Sequence, residues 1–341
     1  MAIDSVASEL IAETRPYCVE DPAKSRRLFW ITVVIALGLF ALALSPLPRP
    51  VSWTAAVLLG LTNVRIFIFF HDYLHGAIFK KDRFHGRLMK LYGLLILTPH
   101  RVWRDSHNYH HNHTSKIVGS SIGSYPILTV RMYRMATPWQ RFKYRAVRHP
   151  LNMVLGYLTV FMLGMCIKPL LEQPKRYYLA AVSLLVHFGL LFGLGYGFGP
   201  EAAIRAYLAP LALSCAAGSY LFYAQHNYPG MTIYDRRDWS YGQAALHSSS
   251  MMTGGPLMRW FTGDIGFHHV HHLSSAIPFY RLEEAMKALP VLQNPGTTSF
   301  APKDVWSCLR LALWDPVSGR MLSYKEASSG ASSATSRPSH A

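Results

Sequence analysis

Residues 51–75 read VSWTAAVLLGLTNVRIFIFF followed at once by HDYLH. The first twenty, Val51–Phe70, are predominantly apolar. As a helix they rise about 30 Å, the thickness of a bilayer's hydrocarbon core. Continued past Phe70, the same helix would put His71 and His75 at i and i+4, on one face. The stretch therefore predicts a membrane-spanning helix that delivers two imidazoles to one point just beyond the lipid.

A second apolar stretch, Leu28–Ser45, lies upstream across the Pro-rich turn SPLPRP (Ser45–Pro50). Lys24, Arg26 and Arg27 precede it, so the positive-inside rule puts the N-terminus in the cytoplasm and returns the chain there at His71. The block from His71 to Pro150 agrees, with fourteen Lys and Arg against Asp72, Asp82 and Asp105 alone. Within it, Leu88–Leu97 is too short to span and is expected in the interface. Three apolar stretches follow: Leu151–Ile167, Tyr178–Phe198 and Ala202–Tyr223. If all three crossed, the later histidines would face the opposite side, so Leu151–Ile167, the shortest, is read as interfacial or re-entrant. The expected fold is all-α and integral to the membrane, with about four spans in two hairpins, a cytoplasmic helical cap and both termini cytoplasmic. Residues 1–27 form a cytoplasmic segment, 28–325 the membrane domain with its cap, and the Ser/Ala-rich Glu326–Ala341 a disordered tail. Arg205 is placed to snorkel to the far interface.

Composition fits. The 341 residues carry a formal charge of +16, yet half are hydrophobic and only 15% are charged. A basic nucleic-acid binder would show a polar, Lys-rich surface, and no nucleic-acid partner is expected. Cys18, Cys166, Cys215 and Cys308 are scattered, with no CxxC pair, which argues against both a disulfide framework and a thiolate zinc site. Histidine stands out: seventeen residues, roughly double ordinary usage.

Those histidines cluster. His107-Asn-Tyr-His110-His111 and His268-His-Val-His271-His272 both contain HxxHH, whose i, i+3 and i+4 offsets place three rings on one helical face. With His71 and His75, and with His226 at the end of the last span, the set predicts metal ligation. Eight or nine neutral imidazoles exceed one zinc site and suit two metal ions. Imidazole fits iron that binds dioxygen, and also zinc or copper. Asp72, Asn108, Asn227 and Asp264 are placed either to orient ligand N–H groups or to cap local turns. His113 and His269 fall inside the boxes but off the HxxHH pattern. His85, His100, His149, His187 and His247 lack partners at helical spacing and read as surface or packing residues. A histidine-rich metal transporter would need ionisable residues within its spans, whereas here the clusters flank them.

HDYLH, HNYHH and HHVHH, with a membrane hairpin between the last two, resemble the integral-membrane fatty acid desaturase family. The segments FYAQHNYPG (Phe222–Gly230) and WFTGDIGFHHVHHLSSAIPFYRL (Trp260–Leu282) are similar to bacterial acyl-lipid desaturases. The resemblance implies a di-iron site with His71, His75, His107, His110, His111, His268, His271 and His272 as ligands and His226 as a ninth. It also implies an oxidoreductase that uses O2, and electrons from a carrier, to put a double bond into an acyl chain. The alternative is a related di-iron hydroxylase or ketolase acting on a carotenoid, alkane or lipid. No HPGG segment of a fused cytochrome b5 is present, and His149-Pro150 does not match one. The expected donor is therefore a separate ferredoxin- or rubredoxin-like protein, and the expected location a bacterial inner membrane with the histidines cytoplasmic. An apolar tunnel should run beneath the boxes, with Tyr73, Phe79, Tyr109, Trp260 and Phe267 as candidate lining residues that could equally serve packing.

Overall fold

The computed structural model describes residues 5–329, and its frame is helical. Helix α1 (Ser5–Thr14) precedes α2 (Pro22–Leu44), whose start is set by Asp21: its carboxylate accepts from the Ala23 and Lys24 N–H groups, with Pro22 in the first turn. The prolines after Ser45 stop α2, and α3 (Arg49–His75) follows with Pro50 in its first turn. Helix α3 runs without a break through the apolar stretch into HDYLH, and stops only at Gly76, left-handed at φ 69°. Helices α4 (Arg83–Leu95) and α5 (His100–His113) lead into the cap. After the amphipathic α6 (Pro138–Arg148), α7 (Leu179–Phe198) and α8 (Pro200–Gln225) form the second hairpin. The six-residue α9 (His268–Leu273) carries the last histidine box.

Four helices are long and apolar enough to cross a membrane: Pro22–Leu44, Arg49–His75, Leu179–Phe198 and Pro200–Gln225. These are the four expected spans; three extend beyond their apolar stretch and Leu179–Phe198 matches its own to within one residue. Residues 157–167 instead form a wide π-helix, Tyr157–Ile167, between two five-residue α-helical pieces. The run is interrupted at Leu155, and it is not among the four long apolar helices. Helix α7 turns Leu185, Phe192 and Tyr196 outward, as a lipid-facing surface requires.

Helices α3 and α8 pack closely. A Cβ on Gly60 would lie 2.8 Å from Leu213 Cδ2 and 3.0 Å from the Pro210 carbonyl, so only glycine allows this approach. Arg205 is buried rather than snorkelled. Its guanidinium donates to the Ala43 and Ser45 carbonyls and pairs with Glu201, satisfying the open end of α2.

Small sheets brace the cap. Strand β1 (Leu128–Thr129) pairs in parallel with β4 (Leu313–Asp315), which pairs antiparallel with β5 (Arg320–Leu322); β2 (Met251–Thr253) pairs in parallel with β3 (Thr297–Ser299). The N-terminal segment is tied in as well. Arg281 donates to the Pro16 and Val19 carbonyls, and Glu20 accepts from the Phe79 N–H. Of the tail expected to be disordered, Glu326–Ser328 complete a short helix capped by Ser323, and residues 330–341 lie outside the described residues.

The α3–α8 contact gives a stability prediction. Gly60→Val should lower unfolding stability by about 1–3 kcal/mol, read as an earlier denaturation midpoint in detergent, while Gly38→Val, with nothing near its Cβ, should not.

Candidate metal centre

Helix α5 owes its inner face to spacing. Trp103, His107, His110 and His111 are buried together, while Arg101, Arg104, Asn108 and Asn112 face out. Three other elements meet this face: the end of α3, the end of α8, and α9.

All nine sequence-predicted ligands converge, in two groups. His71, His75, His107, His111 and His271 form one; His110, His226, His268 and His272 form the other. Within each group the ligating atoms lie within 4.8 Å of one another. The groups sit side by side, with the His111 and His272 rings stacked 4.2 Å apart. Helices α5 and α9 each serve both groups.

The second group shows what the site is built to hold. Its four Nε2 atoms form a closed ring: His110–His226 at 3.1 Å, His226–His268 at 2.9 Å, His268–His272 at 3.1 Å and His272–His110 at 3.3 Å. An Nε2 atom can donate one proton or accept one, not both. At most two of the four contacts can then be hydrogen bonds. His226 Nδ1–H donates to the Ser248 carbonyl at 3.0 Å, which leaves a lone pair on its Nε2. A cation at the centre would accept all the lone pairs at once. A square of such edges has its centre about 2.2 Å from every corner, and folding it toward a tetrahedron brings that to about 1.9 Å, spanning metal–imidazole bonds of about 2.0–2.1 Å. The residues fit a metal.

In the first group, Nε2 contacts run His71–His107 at 3.1 Å, His107–His111 at 3.0 Å and His111–His271 at 3.1 Å. His75 packs against His71, His107, His111 and His271, and its Nε2 is buried without a hydrogen-bond partner. Asp72 orients the group. One carboxylate oxygen accepts from His71 Nδ1–H at 2.9 Å and the other from the Phe279 N–H at 2.7 Å, so the His71 Nε2 lone pair points inward.

Burial holds His107, His110, His111, His268, His271 and His272 far below the usual histidine range, and neighbouring histidines reinforce it. Burial also takes His226 down to about 4, partly offset by the Ser248 carbonyl. Neutral imidazoles are the form that ligates.

Other expectations are corrected. Asn108 is exposed, Asn227 bonds Arg148 and the Cys308 and Leu311 carbonyls, and Asp264 pairs with Arg259. Of the four residues considered for orienting ligands, Asp72 alone touches one. His113 turns back onto Tyr109, and His269 bonds the Leu292 carbonyl. His187 is a packing residue of a particular kind, held within the membrane helices by the Tyr157 and Tyr207 hydroxyls.

A cavity of about 380 Å³ opens beside the histidines, within the range of small-molecule sites. It touches His71, His107 and His268 and reaches down to Asn63 on α3 and Cys215 on α8. At 1.5 Å per residue that is about 15–18 Å below the ends of these helices, His75 and Gln225. Phe67, Trp103, Phe161 and Phe222 line it, and Thr159, Val160, Gly164 and Met165 of the π-helix form one wall. None of Tyr73, Phe79, Tyr109, Trp260 or Phe267 lines it; Phe79 stacks on His85, Tyr109 on His113, and Arg65 lies over Trp260. Those rings are near the boxes in sequence but point away from the ligand faces. Trp103, one turn before His107 and stacked on it at 4.0 Å, was findable by the same i, i+4 rule.

The sequence model of the family described as fatty acid desaturase matches residues 48–297. The chain belongs to that family. A relative from Bacillus subtilis (strain 168), "Fatty acid desaturase", is 32% identical over 262 residues, 76% of this chain and 74% of that protein. A Synechocystis protein named "sn-1 acyl-lipid omega-3 desaturase (ferredoxin)" is 26% identical across 84% of this chain and 83% of its own length. The Arabidopsis thaliana "Acyl-lipid omega-3 desaturase (cytochrome b5), endoplasmic reticulum" is 27% identical over 70% of this chain and 63% of that protein. Enzymes of this family are oxidoreductases that introduce double bonds into fatty acids, and the histidine groups described above lie within or beside the matched region.

Two outcomes follow. Asp72→Ala should weaken metal binding by about 10–100-fold, measured by metal content after dialysis against graded chelator. Metal-free protein should lose stability as pH falls from about 6.5 toward about 4, because the unfolded chain takes up protons that folded His226 and His269 refuse; the loss should continue below about 4, where the six histidines held lower still go on refusing protons, as denaturant melts at stepped pH would show.

Proposed function

We propose that the protein is a membrane acyl-lipid desaturase with two irons, one in each histidine group, that uses O2 and electrons from a separate carrier protein. The observation that carries this reading is the meeting of the paired Nε2 clusters with the apolar cavity at His71, His107 and His268. The reaction balances as one acyl chain, one O2, two electrons and two protons giving the olefin and two waters. Bound iron with O2 would supply the hydrogen-abstracting power that no side chain has.

The chain's own residues do the rest. The nine imidazoles hold the metals, and Asp72 fixes the presentation of His71. The cavity orients methylenes beside the histidines and keeps water out with Phe67, Phe161 and Phe222. The walls descend among α3 and α8, so a lipid's acyl chain need not leave an apolar medium to enter. The basic block between His71 and Pro150 supports a cytoplasmic face for the site, in a bacterial inner membrane. Two named relatives take electrons from ferredoxin or cytochrome b5, and a ferredoxin- or rubredoxin-like donor suits this chain.

Expression in a bacterial host, with fatty-acid methyl esters analysed and double bonds located by mass spectrometry, tests the reading. New unsaturated species should appear with the native chain and vanish with His271→Ala. Products with no new double bond in any acyl chain would overturn it.

A further inference from the structure

The outer face of α5 has a use that the ligands on its inner face do not explain. Arg101 and Arg104 project from it, and exposed Lys90 lies on α4, which packs against α5. All three act on the half-buried His100, whose pKa falls to about 4 through burial first and then through Lys90, Arg104 and Arg101 in turn. Carboxylates scarcely offset this charge. Asp105, beside Arg104, is held at 2.6 Å by Arg176 and at 3.2 Å by the Tyr177 hydroxyl, and Arg104 Nε stands 4.0 Å from its other oxygen. Among the described residues, neither Lys90 nor Arg101 has a carboxylate partner. Three cations packed together cost stability through mutual repulsion unless something anionic answers them.

The patch lies over the metal centre. Trp103 sits in the chain between Arg101 and Arg104 and points inward, buried, with its ring stacked on His107 at 4.0 Å and edge-on to His71 at 5.3 Å and His75 at 6.0 Å. One helix, about 10–12 Å across with its side chains, thus separates the cationic surface from the first histidine group.

We propose that Lys90, Arg101 and Arg104 form the docking surface for an acidic iron–sulfur electron carrier, which delivers its electrons through Trp103 to the His71–His271 group. This rests on the desaturase reading above. At each encounter the reduced carrier loses one electron and the metal centre gains it, so two encounters supply the two electrons of a turnover. Long-range attraction between a basic patch and an acidic carrier speeds encounter, and added salt screens it. An anionic lipid headgroup would answer the same charge, but it has no use for the buried Trp103 contact beneath the patch.

The test uses the metal-loaded protein in phosphatidylcholine nanodiscs and a plant-type [2Fe–2S] ferredoxin as the probe. Association is measured by surface plasmon resonance at low and high salt. Arg101→Glu/Arg104→Glu should weaken ferredoxin binding about tenfold or more at low salt, raise the KM for ferredoxin and leave metal content unchanged; at high salt the difference from the native protein should close. Lys303→Glu, an exposed cation on another element, should change none of these. Unaltered ferredoxin affinity in the double variant would overturn the proposal. So would a variant that keeps ferredoxin binding but no longer binds phosphatidylglycerol vesicles, which would make the patch a lipid site. Binding is read without turnover, so failure here is distinct from a failure of the native chain to make new double bonds.

Discussion

Nine imidazoles lie within contact of one another with too few protons to bridge them, and everything around them is arranged to sustain that. Left alone in water, such rings would rotate outward or protonate. Here burial denies them protons, Ser248 and Asp72 fix the two rings that need a defined tautomer, and Phe222 and Trp103 pack against others. The close α3–α8 contact at Gly60 matters because both helices end in this cluster, one at His75 and the other at Gln225 beside His226. A shift between them would carry His71 and His75 of the first group away from His226 of the second.

Much of this was legible in the sequence, for physical reasons that differ by element. The spans could be read because lipid demands long apolar helices, and Leu151–Ile167 was set apart from them by the need to keep the histidines on one side. The ligands could be read because i, i+3 and i+4 offsets fix a face whatever the rest of the fold does. What could not be read depends on direction in three dimensions. Tyr73 and Trp260 are neighbours of ligands along the chain, yet they project from other faces. Asn227 follows His226 directly, but successive residues on a chain leaving a helix diverge, and its amide ends among the Cys308 and Leu311 carbonyls. Arg205 looked like a snorkelling residue because sequence does not show that α2 ends beside it.

The membrane and the site are parts of one design. Helices that cross lipid satisfy their own backbone groups and can afford an apolar face on every side, so a cavity between α3, α8 and the π-helical segment costs little where the walls already sit in hydrocarbon. The wider π-helix presents Thr159, Val160, Phe161, Gly164 and Met165 to that cavity from one short segment. An ordinary helix would spread the same residues over more of its circumference.

The ligand set is also spread very widely along the chain. His111 meets His271 across 160 residues, and Arg281 fastens the carbonyl of Pro16 across 265. During synthesis the first hairpin can enter the membrane early, carrying His71 and His75 with no partners to complete their group. The half-made protein is thus an incomplete chelator at the lipid surface until α9 emerges, and contacts of such long range close slowly. Assembly of the centre belongs to the last stage of folding, after the spans are already in place, and a chain cut short before His268 would keep its anchors while lacking three of the nine imidazoles.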